Sequence, residues 1–148
     1  MSQENKALIN KWFKAVWTKD YDPEVIKEFA AEDIKFYYPM HGEFNSADSI
    51  IKMLNEFREA FPDLNFWAVG DLIAEGDFVV GRWDGGGTHT GPAFKDLPVG
   101  ELSEANSGKK MRFSGTTVFK IENGKIKEEL GQEEALTALQ NLGLVPNE

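Results

Sequence analysis

The chain has 148 residues, 41% hydrophobic and 12% aromatic, with a net charge of −9 and no cysteine. This length favours one compact domain, 1–148, able to bury a sizeable core without staples. Without cysteine there are no disulfides and no thiolate chemistry. The acidic balance argues against nucleic acid as a partner, because that binding rests on cationic contacts to phosphate, and it repels anionic membrane surfaces. No apolar run approaches the roughly 20 residues that span a bilayer. The polar start MSQENKALINKWF has no secretory apolar region. The expected location is cytoplasmic.

Leu8, Ile9, Trp12, Phe13, Val16 and Trp17 recur at helical spacing and predict an amphipathic helix over 3–19. Asp22-Pro23 reads as an N-cap followed by proline at the first helical position, opening a short helix through Val25, Ile26 and Phe29. Ile34 to Tyr38 reads as a strand stopped by Pro39, and Asn45 or Ser46 caps a third helix through Ile50, Ile51, Leu54, Phe57 and Phe61. Phe61-Pro62 closes that helix, since proline disfavours helical geometry in the residue before it.

Strand signals then take over. Asn65 to Ile73 is rich in β-formers, Glu75-Gly76-Asp77 supplies a turn, and Phe78 to Trp83 runs back toward the glycine-rich exit Gly85-Gly86-Gly87. Residues 92–109 are irregular. Met111 to Ile121 is a strand, Asn123-Gly124 a hairpin turn, and Lys125 to about Gly131 the returning strand. A last helix carries Ala135, Leu136, Leu139 and Leu142 and ends at Gly143. Helices first and mostly antiparallel strands afterwards argue for an α+β fold.

The order FPD, EGD, a strand ending in Arg82-Trp83, GTHTG, the NGKI hairpin and a terminal helix ending in Leu-Gly resembles SnoaL-like polyketide cyclases and ester cyclases, within the nuclear transport factor 2-like superfamily. The resemblance covers nearly the whole chain. It implies a cone-shaped curved antiparallel sheet packed against three N-terminal helices, with a short C-terminal helix and a pocket between sheet and helices. It also implies a homodimer.

In the cyclases of this family a histidine lies on the strand before the NGKI-type hairpin. An aspartate lies on the strand after it, just beyond a tryptophan. Aligned on Gly124, these positions fall on Thr117, Gly131 and Leu130, so none of the three is retained. Thr117 keeps a hydroxyl for ligand binding, but Gly131 transfers no proton. Glu129, Glu133 and Glu134 are the candidate substitute carboxyl groups: Glu129 and Glu133 flank Gly131 at the spacing of one strand face, and Glu134 matches the aspartate position of many ester-cyclase relatives. The competing reading places Glu133 and Glu134 at a helix start, where acids complement the dipole, and Glu129 on the surface.

His89, within GTHTG, is the candidate proton shuttle; a turn histidine bonded to backbone is the plainer alternative. His41 lies in the loop after the first strand, as a ligand contact or a surface residue. Tyr37, Phe57, Trp67, Phe113 and Arg82 are further candidate ligand contacts. Arg82 and Trp83 face opposite sides of their strand, as do Tyr37 and Tyr38. The two histidines have no cysteine or His-x-x-x-His partner, so no metal is expected. The glycine run lacks the GKS/T ending of a phosphate loop, so no nucleotide is expected. The expectation is a pocket for a small hydrophobic molecule, serving cofactor-free acid/base chemistry or, alternatively, non-catalytic binding or dimerisation.

Overall fold

The structure is a computed structural model and describes residues 2–147. Three helices come first, α1 (Ser2–Trp17), α2 (Pro23–Phe29) and α3 (Ala47–Ala60), interleaved with β1 (Ala30–Tyr38) and β2 (Gly42–Phe44). Then follow β3 (Asn65–Ala68), β4 (Ile73–Glu75), β5 (Phe78–Thr88), β6 (Lys110–Glu122), β7 (Lys125–Glu133) and α4 (Ala135–Asn141). The strands form one curved, unclosed sheet in the order β2-β1-β7-β6-β5-β3, with β4 also on β5. All pairings are antiparallel except β1 with β7, which is parallel.

Local chemistry explains the element ends. Asp22 accepts a hydrogen bond from the Glu24 amide, with Pro23 in the first turn of α2. Of the two candidate caps for α3, Ser46 is the one used, in a capping box with Ser49. Asn123 (φ 53°) and Gly124 (φ 71°) make the left-handed turn of the β6–β7 hairpin. The single strand expected over 65–73 is divided. β3 and β4 both pair with β5, and two extra residues bulge between them around Gly70, whose φ is 75°. The glycine run does not leave the sheet. β5 continues through Gly85, Gly86 and Gly87 to Thr88, which pairs with Lys110.

A second bulge decides which acid enters the core. Lys120 pairs with Glu128, but Ile121 pairs with Ile126, so Lys127 is an extra residue in β7. Strict alternation from the buried Ile126 would turn Glu128 inward. The bulge instead turns Glu129, Gly131 and Glu133 to the interior, while Lys127 pairs outside with Asp33.

The inward side chains form cross-strand rows. Val79, Phe119 and Glu129 make one row, joined by Phe36 of β1. Gly81, Thr117 and Gly131 make the next, and Trp83, Gly115 and Glu133 the third. Two large rings keep one position bare in each of the last two rows. A Cβ on Gly131 would stand 2.0 Å from Tyr38 Cε1, and one on Gly115 would stand 2.4 Å from Trp83 Cζ2. Tyr38 therefore occupies the volume in which any side chain at position 131 would begin. Helix α1 covers these rows with Ile9, Trp12, Val16 and Trp17, and α3 adds Ile50, Leu54 and Phe57.

Gly131→Ala should cost about 1–3 kcal/mol, the usual cost of overpacking, in urea denaturation. Combined with Tyr38→Ala, the two losses should sum to less than their separate values, because the second change removes the ring that the new methyl meets. Simple additivity would show that the clash is not what limits residue 131.

Candidate functional site

Two polar clusters lie inside the cone, one beneath the other. The deeper is centred on Glu129, which is 0% exposed. Trp12 Nε1 donates to Glu129 Oε1 at 2.6 Å, and Trp17 Nε1 and the Tyr38 hydroxyl donate to Oε2 at 2.7 and 2.5 Å. The Thr117 hydroxyl lies 2.9 Å from that of Tyr38, and Trp83 Nε1 donates to Thr117 Oγ1 at 2.9 Å. Indole N–H groups only donate. The network is therefore polarised in one direction, from Trp83 through Thr117 and Tyr38 to the carboxylate. Burial pushes the Glu129 carboxyl above its ordinary value, opposed by its three donors. Burial, followed by the nearby Glu129 charge, drives the Tyr38 phenol far up, so it stays protonated.

Above this network is a cavity walled by Trp17, Tyr38, Phe57, Phe66, Trp83 and Phe113, to which His41 and Glu133 add an imidazole and a carboxyl group. Its free volume is about 10 Å³, near the minimum that holds one water. A larger guest enters only when a wall moves. Glu133 Oε1 accepts the Met40 amide at 2.7 Å, tying the end of β7 to the turn after β1. Burial pushes the Glu133 carboxyl up; its attraction to His41 and the Met40 bond oppose this. The His41 side chain is 3% exposed, its ring edge-on to Phe57 at 4.6 Å and its Nδ1 3.2 Å from Asp96 Oδ2. The surface-loop reading of His41 is thus corrected: Gly42 turns the chain into β2, and the ring folds back over α3.

Four sequence candidates converge on this cavity: His41, Phe57, Phe113 and Glu133. Thr117 and Glu129 lie one layer below, and the solvent-facing reading of Glu129 gives way to full burial through the Lys127 bulge. The rest lie elsewhere. Tyr37 faces outward because its neighbour Tyr38 faces in. Arg82 and Trp67 are on the outer face, where Trp67 lies 5.2 Å from the Arg112 guanidinium. Glu134 sits at the N-cap of α4 without capping it; its carboxylate accepts from the Ser114 amide and hydroxyl, which lower its pKa. Arg82 and Glu134 line an open depression of about 440 Å³ on that outer face, which Glu133 also borders, whereas Glu129 does not.

His89 is fully buried, but both ring nitrogens are engaged: Nδ1 is 2.7 Å from Ser107 Oγ, and Nε2 is 2.6 Å from the Pro92 carbonyl. It closes the neck of the 92–109 loop and does not line the cavity. Sequence reasoning did not single out Asp96, which lies in that loop. No periodicity marks the position; the only local signal is Phe94, an isolated aromatic in a polar stretch.

Comparison with known proteins follows this geometry closely. Residues 7–142 match the SnoaL-like polyketide cyclase family. The chain belongs to that family. A protein of Jannaschia sp. assigned as a SnoaL-like polyketide cyclase is 20% identical, with a TM-score of 0.78 over 98% of this chain and 95% of its own. AclR of Streptomyces galilaeus, assigned as a hydroxylase, is 25% identical, with a TM-score of 0.77 over 100% of this chain and 86% of its own. An NTF2-like protein of Burkholderia thailandensis is 20% identical, with a TM-score of 0.73 over 93% and 96%. No functionally curated protein matches the chain significantly. SnoaL-like neighbours thus carry different assigned chemistries on one fold, and the site must be argued from its own residues. Among the described residues no helix is long and apolar enough to cross a membrane.

The two inward-facing glutamates, Glu129 fully buried and Glu133 partly so, should respond oppositely to amidation. Glu129→Gln sets an amide N–H against an indole N–H and should cost about 1–3 kcal/mol. Glu133→Gln keeps an acceptor for Met40. A carboxyl whose folded pKa is raised contributes stability below its unfolded value and loses that contribution as pH rises through the folded pKa. The Glu133→Gln variant should therefore gain on the wild type between about pH 4.5, the ordinary carboxyl value, and neutrality. Denaturant titrations at several pH values measure both; a pH-independent difference for Glu133→Gln would contradict the raised pKa.

Proposed function

We propose that this SnoaL-like protein binds a small hydrophobic or aromatic molecule in the cavity between α1, α3 and the sheet, and acts on it by cofactor-free acid/base chemistry. The observation that carries the reading is that Glu133 and His41 line the same enclosed aromatic cavity. Aromatic walls supply the apolar contact of small-molecule sites, and a few polar groups fix orientation. Glu133 lies two residues beyond Gly131 on the same strand face, so it brings a carboxyl group back to the row next to the family's aspartate position. Its raised pKa brings it toward the range in which a carboxyl group exchanges protons with substrate. His41 orients the ligand. The reaction class is proton transfer, as in cyclisation, isomerisation, dehydration or hydrolysis, carried out in the cytoplasm.

A second reading has its own observation. On the outer face Ile73, Val80, Val118, Leu130 and Tyr37 occupy successive positions across five strands, and Ile73, Val118 and Tyr37 are 69%, 38% and 36% exposed. Such an apolar row fits a module that pairs sheet against sheet as a homodimer, with or without catalysis.

Thermal shift and native mass spectrometry against a panel of small aromatic ketones and phenols should show saturable one-to-one binding. Phe57→Ala should tighten the larger members of the panel. Where a ligand is turned over, Glu133→Gln should lower the rate by about 100-fold or more without abolishing binding. Absence of any saturable ligand would sink the first reading, and a monomeric mass at micromolar concentration would sink the second.

A further inference from the structure

The 92–109 loop crosses from β5 to β6 over the cavity side of α3. Phe94 and Leu102 pair across it, and Phe94 packs on Phe57 and Phe61 at 5.5 and 5.8 Å. His89 closes its neck through Pro92 and Ser107, and Asn106 N–H bonds to the Gly91 carbonyl. The loop is therefore folded down by its own contacts, and it delivers one carboxylate, Asp96, to the back of the His41 ring.

The partners of the two histidines dictate their tautomers. Asp96 has no proton to give, so Nδ1 of neutral His41 carries the hydrogen. Nε2 is then the lone-pair nitrogen of a ring that lines the cavity, and among the described residues the ring's hydrogen bond is the one at Nδ1. His89 is the reverse. The Pro92 carbonyl only accepts, so Nε2 carries the hydrogen, and Nδ1 accepts from the Ser107 hydroxyl and amide.

We infer that Asp96 is a positioning residue that fixes His41 in the Nδ1–H tautomer, so that the cavity selects ligands presenting a hydrogen-bond donor, such as a phenol or enol O–H, to His41 Nε2. The inference rests on the cavity being the ligand site. Asp96 touches no ligand itself; it acts through the imidazole. The site is complete only with the loop docked, because its polar specificity arrives on the same segment that roofs Phe57. Glu133, which also lines the cavity, supplies the second polar contact, and the aromatic walls hold the rest of the ligand.

The test uses the full chain. It contains two histidines, so long-range ¹H–¹⁵N spectra of the imidazoles, recorded about two units above the ordinary histidine pKa of about 6.5, resolve both. The wild type should show His41 as the Nδ1–H form and His89 as the Nε2–H form. Asp96→Ala should move His41 to the Nε2–H form while His89, the internal reference, stays put. Asp96→Asn retains an acceptor oxygen and should keep the wild-type pattern, and Lys95→Ala should change neither ring. His41 found as Nε2–H in the wild type, or unmoved by Asp96→Ala, overturns the assignment.

Binding then reads the selectivity. 2-Naphthol should bind the wild type roughly fivefold tighter than 2-methoxynaphthalene, as one hydrogen bond predicts, and Asp96→Ala should erase that preference. An equal preference in both proteins overturns the specificity role. Failure of both naphthalenes to bind, with the tautomers as expected, would instead locate the fault in the ligand-site reading.

Discussion

The fold depends on one buried negative group. The Glu129 carboxyl lies at the closed end of the cone and receives the indole N–H groups of Trp12 and Trp17 from α1 and the phenol of Tyr38 from β1. A carboxylate without partners there would be prohibitive. With three donors it becomes the point at which the first helix, the first strand and the last strand must meet in register. A buried hydrogen-bonded charge is weak evidence for net stability, but it is unforgiving about geometry: sliding α1 by one residue would remove both tryptophan donors at once. Two indoles, which a purely apolar core would accept in many orientations, are held in one.

That constraint shapes the space above it. Trp17, Tyr38 and Trp83 are ligated from below through Glu129 and Thr117, so three of the cavity walls are fixed by hydrogen bonds as well as by packing. The wall formed by Phe57 is different. It belongs to α3 and is roofed by the 92–109 loop through Phe94. The sheet and α1 hold their walls by side-chain hydrogen bonds, whereas Phe57 of α3 is held by aromatic packing.

Much of this was legible in the sequence. Helical spacing located α1 and α3, Asn123-Gly124 located the β6–β7 hairpin, and the order of short motifs pointed to the family. Alternation correctly separated Arg82, read as the outward partner, from Trp83, read as core, and Tyr37 from Tyr38, without saying which tyrosine faces in. What remained hidden depends on register and on loops. The Lys127 bulge leaves no compositional mark, yet it decides that Glu129 and not Glu128 is buried. Asp96 meets His41 across 55 residues, a contact that local pattern does not encode. His89 stood out as a histidine in a glycine-rich motif, and its burial serves the loop neck instead. The same glycine signal also misled at Gly85 to Gly87, where flexibility suggested an exit and close packing against β3 and β6 required a strand.

The bulge in β7 has a consequence for how such a scaffold changes its chemistry. Beyond Lys127 the inward positions are 129, 131 and 133, and consecutive ones stand about 6.6 Å apart along the strand. An acid can occupy any of these rungs without altering the sheet, provided the rung it leaves is filled by a ring from a neighbouring strand. Here the middle rung is bare and Tyr38 covers it, while carboxyl groups stand on either side. One is enclosed and structural, the other borders the cavity. What distinguishes the rungs is therefore which of them carries a carboxyl group. The depth of a carboxyl group inside the cone is set by that choice, with the surrounding strand pairing unchanged.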